Sequence, residues 1–143
     1  MGKSWNEKLT GAPAPHTSVL KKPFGGLNPG DTMFIASPLM VRDYMRQIPF
    51  GECRTVLQMR AEFAAQSGAK ATCPLTASLF ARIAAEAALE EMAQGRQASE
   101  TTPFWRLIDP DSAVGKKLSC GSEFVRRMRM AEASTVQETV PAT

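Results

Sequence analysis

The sequence predicts an α+β domain that is mostly helical: a winged helix-turn-helix with a small hairpin and an extended N-terminal arm. Three observations carry that prediction. Segments between Ser37 and Met92 repeat apolar residues at helical spacing and open on capping residues. Two short apolar runs flank Asp109-Pro110-Asp111, a turn sequence, as the strands of a hairpin would. The first thirty residues are rich in Pro, Gly, Ser and Lys and lack a sustained apolar pattern. The chain of 143 residues, 43% hydrophobic and 22% charged, has the size and composition of one soluble globular domain. The expected division is a flexible basic arm over 1–30, a domain over 31–133 and a disordered tail over 134–143.

Each element has a local reason. Ser4 to Leu9 is a possible short helix, with Trp5 and Leu9 at i,i+4 spacing as a docking face. Met33-Phe34-Ile35 is the centre of a short strand spanning Asp31 to Ala36. Ser37-Pro38 starts a helix, with serine as N-cap and proline at the first helical position. Val41, Met45 and Ile48 form its apolar stripe, Met40 and Tyr44 widen it, and Pro49 ends it. Thr55 and Gln58 form a capping box for a second helix, whose expected face is Leu57, Ala61 and Ala64 with Phe63 beside them. Gly68 stops it. A third helix, capped by Thr72 or Thr76, runs to about Met92 with Leu79, Phe80, Ile83, Ala84 and Ala87 as its buried face. Phe104–Ile108 and Val114–Leu118 are the expected hairpin strands. A last helix follows Gly121-Ser122, with Phe124, Val125 and Met128 inward.

Composition narrows the chemistry. No apolar run approaches the roughly 18 residues of a membrane span, and Met1 to Leu20 lacks the apolar region of a signal peptide, so no membrane partner and a cytoplasmic location are expected. Cys53, Cys73 and Cys120 cannot all pair within one chain, which suits a reducing compartment. His16 is the sole histidine, and it sits in the Pro-rich arm. No metal site, no cofactor and no His-assisted catalysis are expected. The net charge is +3, with Lys3, Lys8, Lys21 and Lys22 in the arm and Arg126, Arg127 and Arg129 near the C-terminus. These are either two solvated basic segments or a surface for an anionic partner.

One order of motifs goes further than periodicity. Ile48-Pro49-Phe50-Gly51, Thr55 opening a helix, Thr102-Pro103-Phe104-Trp105-Arg106-Leu107-Ile108, and Cys120-Gly121 before the terminal helix together resemble the C-terminal domain of methylguanine-DNA methyltransferases over residues 37–133. That family carries Ile-Pro-x-Gly, a helix-turn-helix, a Pro-Cys-His-Arg-Val-Ile active-site segment and a later Gly-Gly. The resemblance implies a DNA-binding winged helix and also implies lost chemistry. Phe104 stands at the acceptor cysteine and Trp105 at the histidine that activates it, leaving Pro103, Phe104 and Trp105 as a vestigial pocket. Val56 stands at the family's tyrosine, and Ser78 near the arginine that replaces a flipped base, with Arg82 one turn on. The chain is thus similar to the alkyltransferase-like proteins, which lack the cysteine and bind alkylated DNA.

The expected function is a non-enzymatic DNA-binding module without alkyl transfer. Double-stranded DNA would meet Thr76, Ser78 and Arg82 at the start of the third helix, with Arg106 either on phosphate or on loop carbonyls. Phe104 and Trp105 either stack a base or fill the core, the second being the commoner use of aromatics. Glu86, Glu90 and Glu91 repel phosphate, so the far half of that helix should face elsewhere. The alternative is a protein-interaction or regulatory domain whose partner docks on the N-terminal arm. A third reading, a residual enzyme using Cys73 at a helix start, competes with Cys73 as a small buried hydrophobe.

Overall fold

The computed structural model describes residues 2–139. It is an α+β fold, mostly helical, with six α-helices and one three-stranded sheet among the described residues. In chain order these are α1 (Trp5–Gly11), β1 (His16–Val19), β2 (Thr32–Ile35), α2 (Pro38–Gln47), α3 (Val56–Ser67), β3 (Ala71–Thr72), α4 (Pro74–Ala93), α5 (Ala113–Lys117) and α6 (Ser122–Thr139).

Local sequence sets several boundaries as expected. Ser37 caps α2 by accepting from the Met40 amide, and Ile48, before Pro49, is its C-cap. Thr55 and Gln58 close a reciprocal capping box on α3. Gly68 ends α3 at φ +76°, a left-handed position where a Cβ is unfavourable. Val41, Met45 and Ile48 are buried together. Tyr44 of α2 donates a short hydrogen bond to Glu62 of α3, tying the two helices. Burial and that carboxylate push the Tyr44 hydroxyl up to about 12.

The core forms around α4, whose Ala77, Ala81, Ala84, Ala85 and Ala88 are buried. Small side chains allow neighbouring helices to approach closely, and α1 and α2 both pack on this helix. β2 joins β1 in antiparallel register (His16 opposite Ile35) and β3 in parallel register (Phe34 opposite Thr72). α6 crosses the Pro49–Gly51 turn so closely that a Cβ on Gly51 would lie 2.3 Å from a Val136 methyl.

The structure departs from the sequence reading at five places. The expected strands at 104–108 and 114–118 do not form: Phe104–Arg106 is one turn of 3-10 helix and Ala113–Lys117 is α5. Ser112 caps α5 by accepting from the Gly115 amide at 3.1 Å. Arg129 of α6 donates to the Trp105 and Ile108 carbonyls at 2.6 and 2.9 Å, satisfying groups that a partner strand would otherwise bond. The hairpin is instead β1–β2, so the segment read as an arm carries both α1 and β1. The α3 core face is Met59 and Phe63, while Leu57 is 70% exposed. α4 begins at Pro74 behind Cys73, with no side-chain cap, because the Thr72 hydroxyl donates to the Arg60 carbonyl at 2.7 Å. α6 continues through residues read as a tail to Thr139, and residues 140–143 lie outside the described residues. No helix among the described residues is long and apolar enough to cross a membrane.

Candidate functional site

The residues singled out in the sequence divide between two places. Pro103, Phe104, Trp105 and Arg106 lie where the 3-10 turn meets α6. Thr76, Ser78 and Arg82 lie on the first half of α4, and Ser78 and Arg82 line a groove of about 450 Å³ that does not include Arg106.

At the first place the aromatic rings are core. Phe104 is 0% exposed and Trp105 2%. Phe124 of α6 stacks on Phe104 at 6.0 Å between centroids, and Trp105 meets Phe104 edge-on at 5.3 Å. Neither ring is open to stack a base, so the core-filling alternative describes both. The Trp105 indole donates to Glu132 Oε2 at 2.7 Å. Arg106 donates from Nε to Glu132 Oε1 and from Nη2 to Oε2, each at 2.9 Å. Its Nη1 donates to the Ile48 carbonyl, also at 2.9 Å, and the Gly51 amide reaches Glu132 Oε1 at 3.2 Å. Burial would raise the Glu132 pKa, but the hydrogen bonds from Arg106, Trp105 and Gly51 together outweigh it and hold the carboxyl below its ordinary value. Arg106 thus faces inward, on a carboxylate and a loop carbonyl, and its side chain is only 14% exposed.

Glu132 was not singled out by sequence reasoning. Its signal is its place on α6, seven residues after Val125, where the helical repeat puts a carboxylate on the buried stripe. A buried carboxylate demands partners, and the cation that meets it, Arg106 on the facing turn, is 26 residues away in sequence.

The second place is a surface. Leu75 is 67% exposed and Leu79 51%, although Leu79 was expected in the core. With Ser78 and Arg82 they form one stripe of α4, facing Ala113, Val114 and Lys117 of α5 across the groove. The groove therefore has apolar walls, two cationic side chains and no carboxylate among its described lining residues. Thr76 is half-buried, and its hydroxyl has no hydrogen-bond partner. Arg82 lies 4.0 Å from Glu86.

None of the acidic residues of α4 lines the groove, although Glu86 reaches Arg82 from one turn further along the helix. Glu86, 3% exposed, accepts from the Ser119 amide and, through a short bond, from its hydroxyl. Glu90 accepts from the amides of Trp5 and Asn6 at 2.8 and 3.0 Å. Glu91 pairs with Arg96 at 3.7 Å.

Cys73 and Cys120 are packed, and Cys53 is exposed. Cys73 is 4% exposed at the start of α4. Burial, reinforced by the Glu86 charge, pushes the Cys120 thiol above its ordinary value, the opposite of activation. Among the described residues no three His, Cys, Asp or Glu side chains are placed to hold a metal ion. Comparisons with family models, curated proteins and solved structures found no match for this chain.

Proposed function

We propose that the chain is a non-enzymatic DNA-binding module of alkyltransferase-like type, with α3 and α4 as its helix-turn-helix and the first half of α4 as the reading element. The observation that supports this most is the α4–α5 groove, where Arg82 and Lys117 stand beside Ser78 with no lining carboxylate. A polyanion is favoured there by the two cations, since Glu86 and Glu90 hydrogen-bond to Ser119 and α1 outside the groove lining. In this reading Arg106 is a positioning residue. It fixes the Ile48–Gly51 turn and α6 through Glu132 instead of meeting phosphate. The absence of alkyl transfer is supported by the burial of Cys73 and by the packed ring of Phe104 at the position of the family's acceptor.

A protein-interaction role on the same fold has one observation in its favour: Leu75 and Leu79 are large, exposed and adjacent. Salt separates the two readings. Fluorescence anisotropy with a labelled 20-base-pair duplex, plain or carrying an O6-alkylguanine, is expected to show log affinity falling linearly with log salt by about 0.9 per phosphate contact. The intact mass of the protein is expected to stay unchanged after incubation with the alkylated duplex. No binding to either duplex at low salt rejects the DNA reading, and a mass gain equal to the alkyl group rejects the non-enzymatic one.

A further inference from the structure

The N-terminal helix is built onto α4. Asn6 donates through Nδ2 to Glu90 Oε1 at 2.9 Å and to the Ala87 carbonyl at 3.1 Å. The Trp5 and Asn6 amides also end on Glu90, and Leu9 is 5% exposed in the core. This latch sets Trp5 beside the α4 stripe. The Lys8 ammonium lies 4.2 Å from the Trp5 ring centroid and the Arg82 guanidinium carbon 5.4 Å from it, both within cation–π range. Arg82 in turn shares the groove with Lys117.

From these contacts we infer that α1 is the second half of the DNA-binding surface, with Lys8, Arg82 and Lys117 forming one cationic track and Trp5 a positioning residue that holds the first two together. The inference rests on the reading of α4 as the DNA-facing helix and adds a specific extension to it. Duplex DNA is the occupant that the charge fits, since phosphate recognition needs cations in sequence along a surface. The carboxylates near the track are already engaged. Glu86 accepts from Ser119 and lies 4.0 Å from Arg82, Glu90 accepts from the α1 amides near Lys8, and Glu7 closes the α1 capping box by accepting from the Ser4 amide. Lys8 arrives from a part of the chain about seventy residues before Arg82, so only the docked helix makes the track continuous.

The test measures anisotropy of a labelled 20-base-pair duplex against salt for the full chain, with thermal melting as the check on folding. Lys8→Ala is expected to flatten the salt slope by about 0.9 and to weaken binding about eightfold at 0.1 M salt, the loss of one phosphate contact. Trp5→Leu is expected to weaken binding similarly, and Trp5→Phe to recover most of the loss, since phenylalanine retains a π face. Arg96→Ala removes a cation that pairs with Glu91 in a separate pocket containing none of Lys8, Arg82 and Lys117, and is expected to match wild type in slope and affinity. If wild type binds with the expected salt dependence while Lys8→Ala binds equally well, α1 is outside the surface and the inference fails alone. Equal losses for Lys8→Ala and Arg96→Ala mean a net-charge effect and also overturn it, as does a Trp5→Leu variant that binds like wild type. If wild type does not bind the duplex, the reading of α4 fails, and this extension with it.

Discussion

Glu132→Ala lowers the stability of the fold by about 3–5 kcal/mol, the cost of breaking a buried ion pair from one side. Glu132 is 6% exposed and accepts from Arg106, Trp105 and Gly51. Alanine leaves the guanidinium without its countercharge and the indole and amide without acceptors. Since small domains are stable by only about 5–15 kcal/mol, the loss is visible as a lower midpoint in urea unfolding. Replacing both partners, as Glu132→Leu with Arg106→Met, is expected to cost less than Glu132→Ala, because no unpaired charge remains. The same group gives a pH dependence. A carboxyl with a lowered folded pKa contributes stability that is complete above its unfolded value, near 4.5, and is lost as pH falls through the lower folded value. The urea midpoint of wild type should therefore drop below about pH 4.5, and Glu132→Gln should remove that part of the fall. A Glu132→Ala protein as stable as wild type would contradict the role of this carboxylate.

Phe104→Ala is expected to cost about 3–5 kcal/mol, the usual range for removing a fully buried aromatic ring. The ring is 0% exposed and sits between Trp105 and Phe124. The cavity left behind would be closed only by moving α6 against the 3-10 turn, and Arg129 and Glu132 anchor that contact. Phe104→Leu, which fills more of the space, should lose less. Urea unfolding of the two variants checks the order. Equal stabilities for wild type and Phe104→Ala would mean that the Phe104 ring does not hold α6 in place.

Much of the helical framework was legible because its signals are local. Ser37-Pro38, Thr55 with Gln58, and Gly68 each act within one turn of their own position, and α2 and α3 start and stop as these residues indicate. Signals that depend on distant partners were not legible. β1, with the sequence His16-Thr17-Ser18-Val19, has no apolar alternation and becomes a strand by pairing with β2. Arg129 supplies the bonds that make 104–108 a compact turn, and nothing near Phe104 announces it. The position of Leu57 on a helical stripe was correctly periodic but on the wrong face, since Met59 and Phe63 fit the same period and reach the core. At the site, Ser78 and Arg82 share one face of α4 because they are four residues apart on the same helix. Arg106 was separated from them by Glu132, a residue whose importance depends on burial that only the packed α6 creates.

In the proposed function the α4–α5 groove meets DNA through Arg82 and Lys117. Charge reversal tests it most directly: duplex binding by Arg82→Glu/Lys117→Glu, compared with wild type at 0.1 M salt and at equal thermal stability. Binding by the variant should be lost, with at least two phosphate contacts gone from the salt dependence. Wild-type affinity and an unchanged salt slope in the variant would contradict the claim.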